Sequence, residues 1–201
     1  MKVDIFNTNK KYNVIYADPP WEYKESGGGH RGTAGLPYET MSTQDICDLP
    51  IDKISEDNSF LYLWATDPKL PQALEVMKAW GYTFKGVAYV WVKQNKKTDS
   101  VFWGMGRYSR KNVELVLLGV KGNAIKDFPP IKRNSHQVVF SKVEEHSKKP
   151  DKIRQEIVEV LGSLPRIELF ARQHADGWDC WGNEAPEEHT VEIEQISLFM
   201  R

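Results

Sequence analysis

The run Asp18-Pro19-Pro20-Trp21 suits one demanding reaction, substitution at the exocyclic amino group of a nucleobase. Such an amine is a poor nucleophile because its lone pair is delocalised into the ring. Acceptors that hold both amino hydrogens localise that pair, and they stabilise the positive charge developing on nitrogen in the transition state. In this reading the Asp18 carboxylate accepts one hydrogen and the Pro19 carbonyl the other. Pro19 and Pro20 restrict φ and donate no N–H, so the acceptors sit on a rigid turn. Trp21 offers an aromatic face to a base drawn out of its helix, a contact worth about 1–3 kcal/mol in nucleic-acid systems. The bland alternative is a strand ending in an Asp-Pro turn beside a buried tryptophan. The chemistry calls for no metal, since a sulfonium methyl donor is already activated.

These residues need a scaffold. Residues 12–17 (YNVIYA) form an apolar, β-branched and aromatic run stopped by proline, which predicts a buried strand with Asp18 at its carboxyl end. Open α/β sheets bind their ligands at that end. Further strands are expected at 60–65, 86–92, 113–120, 137–140 and 166–170. Helices are expected over about 68–80, with Leu70, Ala73, Leu74 and Met77 on one face, and over about 150–161, with Ile153, Ile157, Val160 and Leu161 inward. Gly81 and Gly162 supply their stops. Strands alternating with amphipathic helices predict an α/β fold with a mostly parallel sheet. Residues 24–37, 94–111 and 121–135 read as long connections of the kind that carry function. The glycine-rich loop 24–37 lacks the Gly-Lys-Ser/Thr ending of a phosphate-binding loop.

The 201 residues, 40% hydrophobic and 27% charged, fit one soluble domain, expected over 1–183 with a tail at 184–201. No apolar run is long enough to cross a bilayer or to act as a signal peptide, so a cytoplasmic location is expected. Cys47 and Cys180 lie outside any Cys-x-x-Cys pattern, which suggests neither a disulfide framework nor a zinc site. The net charge of −1 is uneven: residues 184–201 hold five Glu and one Arg, leaving +3 on the rest. Lys93, Lys96, Lys97, Arg107, Arg110 and Lys111 stand against Asp99 alone. That cluster suits either phosphate contacts or a solvated loop, and Lys93, Arg107, Arg110 and Lys111 are the substrate-contacting candidates.

The segments VIYADPPW, LPYETMS, FLYLWAT, WGYTFKGVAYVWVK, LLGVKGN, HSKKPDKI, RIELFAR and GWDCWGNE, in that order, resemble the MT-A70 family across nearly all of 12–184. The family includes the catalytic subunit of the eukaryotic messenger-RNA adenosine methyltransferase and bacterial and phage DNA adenine methyltransferases. The resemblance implies a Rossmann-like methyltransferase fold dependent on S-adenosylmethionine. It is permuted, with the catalytic motif first and the main cofactor-binding segments last. It also implies that Lys149 reaches the methionine end of the cofactor near Asp18, and that Arg172 and His174 contact the cofactor. Asn183 would read its adenine, and Glu184, a glutamine in the eukaryotic subunit, would accept from the ribose diol. Asp4 and Ile5 match a pair holding the cofactor's adenine, though nearer to Asp18 than the family pattern. Tyr38 matches a tyrosine beside the target base. Glu168 is a further cofactor-side candidate, or an interior acid paired with Arg172 or Lys149; His146 reads as a helix-start residue. Trp178 and Trp181 are expected as packing walls at the cofactor end.

The resemblance points to methylation of the adenine 6-amino group, most simply in DNA, with RNA the less favoured polymer. A cytosine 4-amino methyltransferase uses the same geometry, and a non-catalytic nucleic-acid-binding subunit would keep the fold without the donor. In the acidic tail, Gln195, Ile196, Ser197, Leu198 and Phe199 resemble the peptide by which bacterial proteins dock on the DNA sliding clamp, a possible partner; a terminal strand or turn is the alternative.

Overall fold

Strand β1 occupies Tyr12–Ala17, as its composition predicts, and buries both of its faces. Val14 and Tyr16 enter one core, while Ile15 and Ala17 enter the other. Its neighbour β2 (Ser55–Ala65) alternates the same way: Leu61, Leu63 and Ala65 to one side, Phe60, Tyr62 and Trp64 to the other. A period of two with no exposed side is the mark of a central strand covered by helices on both faces. The computed structural model describes residues 1–23, 39–145 and 147–185. Tyr38, His146 and the clamp-like peptide at 195–199 lie outside the described residues.

The other strands are β3 (Thr83–Gln94), β4 (Val113–Lys121), β5 (Val138–Lys142), β6 (Arg166–Leu169) and β7 (Asp179–Trp181). Together the strands form one sheet in the order β5-β3-β4-β2-β1-β6-β7. Every pairing is parallel except the two made by β4, so β4 alone runs against the rest. The chain leaves β1 on one side through β2 and returns on its other side through β6, which makes β1 the switch point where a crevice opens. The result is the mixed α/β methyltransferase architecture expected from the sequence, with the last two strands seated beside the first.

Helices α1 (Thr43–Cys47), α2 (Ile51–Ile54), α3 (Leu70–Ala79), α4 (Ala124–Asp127) and α5 (Asp151–Leu161) complete the fold. Helix α3 corrects one expectation. Its buried positions are Ala73, Val76 and Met77, followed by Trp80, whereas Leu74 is exposed. The i, i+3, i+4, i+7 template holds but starts at 73, because Trp80 locks the register by donating its Nε1–H to the Ile46 carbonyl at 2.9 Å. Helix α5 turns Ile153, Ile157 and Leu161 inward as expected, with Val160 only partly buried, and ends on Gly162 at φ 73°. Among the described residues, no helix is long and apolar enough to cross a membrane.

Candidate active site

Because β4 is reversed, one edge of the sheet collects the carboxyl ends of the six other strands and the start of β4. A cavity of about 400 Å³ opens there, lined by Asp18, Pro19, Pro20 and Trp21 after β1 and by Thr66 after β2. Glu114 on β4, Lys149 before α5, Arg172 after β6 and Asn183 after β7 complete its walls.

The Asp18–Trp21 turn is fastened from within. The Trp21 N–H donates to the Pro19 carbonyl at 2.9 Å, and the Met41 N–H donates to the Pro20 carbonyl at 2.8 Å. A carbonyl oxygen has two lone pairs, so Pro19 keeps capacity for one further donor. Trp21 is 6% exposed and packs in the core as well as lining the cavity. Its Nε1–H is buried without a partner among the described residues, the kind of orphan donor that a polar ligand atom satisfies.

Behind Asp18 lies a chain of alternating charges. The Lys149 Nζ donates to Asp18 Oδ2 at 2.8 Å and stands 3.3 Å from Glu114 Oε2, while Glu114 also pairs with Lys93. Burial raises the proton affinity of Asp18, and the Lys149 ammonium opposes this without cancelling it. Burial acts on Glu114 in the same sense, but two lysines outweigh it and hold its pKa below the usual range. Lys149 is shifted upward, since Asp18 and Glu114 overcome its desolvation. Tryptophan faces brace both cations, with Lys149 5.3 Å from the Trp64 ring and Lys93 5.1 Å from the Trp91 ring. Glu114 escapes a reading of the sequence because it stands in the apolar run VELVLLGV, whose only visible signal is a charge at a strand position.

The opposite wall is made by β6, β7 and the residues after them. Phe170 adopts φ 61°, a strained value for a residue with a side chain, and sets its ring 5.3 Å from that of Trp181. Ala171 donates to the Trp181 carbonyl at 2.9 Å, Arg172 lies 3.6 Å from Glu184, and Asn183 borders the cavity. Gly182 also lines it; a Cβ there would sit 2.4 Å from the Ala171 carbonyl oxygen. The wall thus depends on close backbone approach even without a glycine-rich loop. Gly182→Ala is expected to part the ends of β6 and β7, because overpacking by a single methyl group costs about 1–3 kcal/mol unless the backbone shifts. Binding of the cofactor that the resemblance implies, S-adenosylmethionine, read by calorimetry, should weaken by about tenfold or more as the wall moves.

Several candidates lie elsewhere. Glu168 pairs with Arg154, not with Arg172 or Lys149 as expected, because β6 turns it toward α5. Asp4 caps its own turn through Phe6 and Asn7, and Ile5 is core; their link to the cavity is Phe6, packed 6.2 Å from Trp181. His174 sits 3.4 Å from the Cys180 sulfur, against a second cleft lined by Lys10 and Tyr12. Lys93 is turned to Glu114 and half-buried, so it is withdrawn from a phosphate-contacting surface. Arg107 and Arg110 are exposed, and Lys111 pairs with Asp67. Trp181 lines the cavity, whereas Trp178 packs against Tyr16 in the core.

Comparison with known proteins places this geometry. The MT-A70 family model matches residues 12–184. The chain is 33% identical over 200 residues to the Type II methyltransferase M.MunI of a Mycoplasma species, covering 92% of this chain and 82% of that protein. It is 29% identical over 187 residues to the N(6)-adenosine-methyltransferase MT-A70-like protein of Arabidopsis thaliana, covering 91% of this chain and 24% of that protein. It is also 29% identical over 195 residues to the N(6)-adenosine-methyltransferase catalytic subunit METTL3 of Homo sapiens, covering 94% of this chain and 31% of that protein. The chain therefore spans a third or less of those two eukaryotic relatives.

Proposed function

The chain belongs to the MT-A70 family of S-adenosylmethionine-dependent methyltransferases, and from that premise we propose that it methylates the 6-amino group of adenine in DNA. The observation that carries this reading is the position of the Asp18–Trp21 turn at the carboxyl end of the central strand, opening on a cavity whose far wall is built by β6 and β7. DNA is favoured over RNA because most of the length of the Type II methyltransferase relative is matched, against a smaller share of the adenosine methyltransferases.

The cavity suits the cofactor's chemistry. Its lining combines an aromatic pair, Phe170 with Trp181, and two charged pairs, Asp18 with Lys149 and Arg172 with Glu184. The Asp18–Lys149 pair complements an amino-acid zwitterion, and Asn183 and Glu184 offer hydrogen-bond groups to a ribose and a base. When bound, S-adenosylmethionine supplies a methyl group activated by its sulfonium. Asp18 and the Pro19 carbonyl hold the two amino hydrogens and turn the nitrogen lone pair toward the donor. The raised proton affinity of Asp18 strengthens it as an acceptor and fits it to take the proton released as the N–C bond forms. Lys149 fixes the carboxylate through Oδ2. A cytosine 4-amino target would use the same turn, so product chemistry decides. DNA from cells expressing the chain, digested to nucleosides, is expected to contain N(6)-methyladenine; N(4)-methylcytosine alone, or no modified base, refutes the reading.

A further inference from the structure

Residues 95–112 join β3 to β4 and leave the sheet at the edge that carries the cavity. The loop is built rather than slack. Asn95 N–H donates to the Ser100 carbonyl at 2.9 Å, Phe102 N–H to the Lys93 carbonyl at 2.8 Å, and Lys111 N–H to the Met105 carbonyl at 3.3 Å. Gly104 and Gly106 let its second half fold on itself, since a Cβ would lie 1.7 Å from the Lys111 carbonyl oxygen and 2.0 Å from that of Ser109. On this frame Trp103, Met105 and Tyr108 point outward, 74%, 84% and 96% exposed. Large apolar groups held out this way mark a contact surface.

Charge decides what the surface contacts. The Arg110 guanidinium lies 4.9 Å from the Trp103 ring and that of Arg107 5.9 Å from the Tyr108 ring, so each aromatic carries its own cation. Lys96 and Lys97 add positive charge at the base of the loop. Aromatics and arginine also mark protein interfaces, but those deplete lysine. Here Lys96, Lys97 and Lys111 join Arg107 and Arg110 against Asp99 alone, and aromatics interleaved with such an excess of cations fit bases and phosphates together. The loop's end is also tied to a segment that borders the cavity. Lys111 pairs with Asp67, whose neighbour Thr66 shares a 2.7 Å hydrogen bond with the Tyr23 hydroxyl, and Thr66 and Tyr23 both line the cavity.

We propose that Trp103 and Tyr108 stack on DNA bases next to the extruded adenine, while Arg107 and Arg110 neutralise the flanking phosphates. The inference rests on the nucleic-acid methyltransferase reading and adds to it a base-stacking site. Extruding a base leaves unstacked neighbours, and an exposed ring on a loop that leaves the sheet at the cavity's edge can cover them.

The test measures the affinity of the full chain for a labelled DNA duplex, with oligomeric state followed by sedimentation and S-adenosylmethionine binding by calorimetry. Trp103→Ala and Tyr108→Ala should each weaken duplex binding about tenfold, leaving cofactor affinity, melting temperature and the salt dependence of binding unchanged. Trp103→Phe should restore most of the loss. Arg107→Ala should instead lower the salt slope by about one. A Trp103→Ala/Tyr108→Ala variant that binds duplex like the parent overturns the proposal. So does a change in oligomeric state without a change in DNA affinity, which would make the loop a contact between copies. Normal adenine methylation by a variant with parental DNA affinity sinks this inference and leaves the functional reading intact. Loop-dependent DNA binding by a parent that methylates no adenine does the reverse.

Discussion

Asp18→Ala is expected to lower kcat for adenine methylation by roughly 10²–10³-fold or more, the scale seen when one preorganised transition-state contact is removed. Cofactor affinity should fall less than kcat, since only one partner of the zwitterion-binding pair is lost while Lys149 and the wall formed by Phe170, Trp181 and Gly182 remain. Asp18→Asn should retain more activity than alanine, because an amide oxygen still accepts one hydrogen bond. The pH profile separates charge from shape. Burial raises the Asp18 pKa above the ordinary aspartate value of 3.8, and the ionised form is the better acceptor. Activity should therefore rise with pH through an acid limb displaced upward from that value, and the limb should vanish in Asp18→Asn. Turnover by the alanine variant at the parental rate would show that the turn is not catalytic.

The second large effect is on stability. Glu114→Gln leaves Lys149 and Lys93 facing each other across a neutral amide, with side chains only 12% and 20% exposed. Breaking a buried pair in this way costs about 3 kcal/mol or more, well above the surface-pair scale. The sign of the pH dependence follows from the lowered pKa of Glu114. A folded-state value below the unfolded one gives stability that is fully present above the usual glutamate pKa of 4.5 and is lost as pH falls through the lowered value. Urea unfolding of parent and variant should thus differ most near neutrality and converge in acid. A constant difference across that range would mean that shape, not charge, makes Glu114 matter.

Two kinds of information separate cleanly in this protein. Residues 12–17 and 60–65 announce β1 and the core of β2 because their burial on both faces demands unbroken apolar runs. The prolines fix where β1 stops, and so where Asp18 stands. Asp18 stands out by its own motif, whereas Lys149, Arg172 and Asn183 are candidates only through the family resemblance; the structure brings all four to one cavity. The register of α3 was not, since Leu74 and Val76 are equally apolar and only the anchoring of Trp80 on Ile46 chooses between them.

Local pattern determined six of the seven strands, the two long helices and the proline turn after β1, because these depend on neighbours within a few residues along the chain. The short elements α1, α2, α4 and β7 carry too few residues to show a period. Tertiary structure decided the rest: the reversal of β4, the burial of Lys93 against Glu114, the transfer of Glu168 to Arg154, and the outward display of Trp103 and Tyr108. Each is a choice of partner between residues distant in sequence or a choice of face. A charge in a one-dimensional pattern carries no record of which opposite charge will be folded against it.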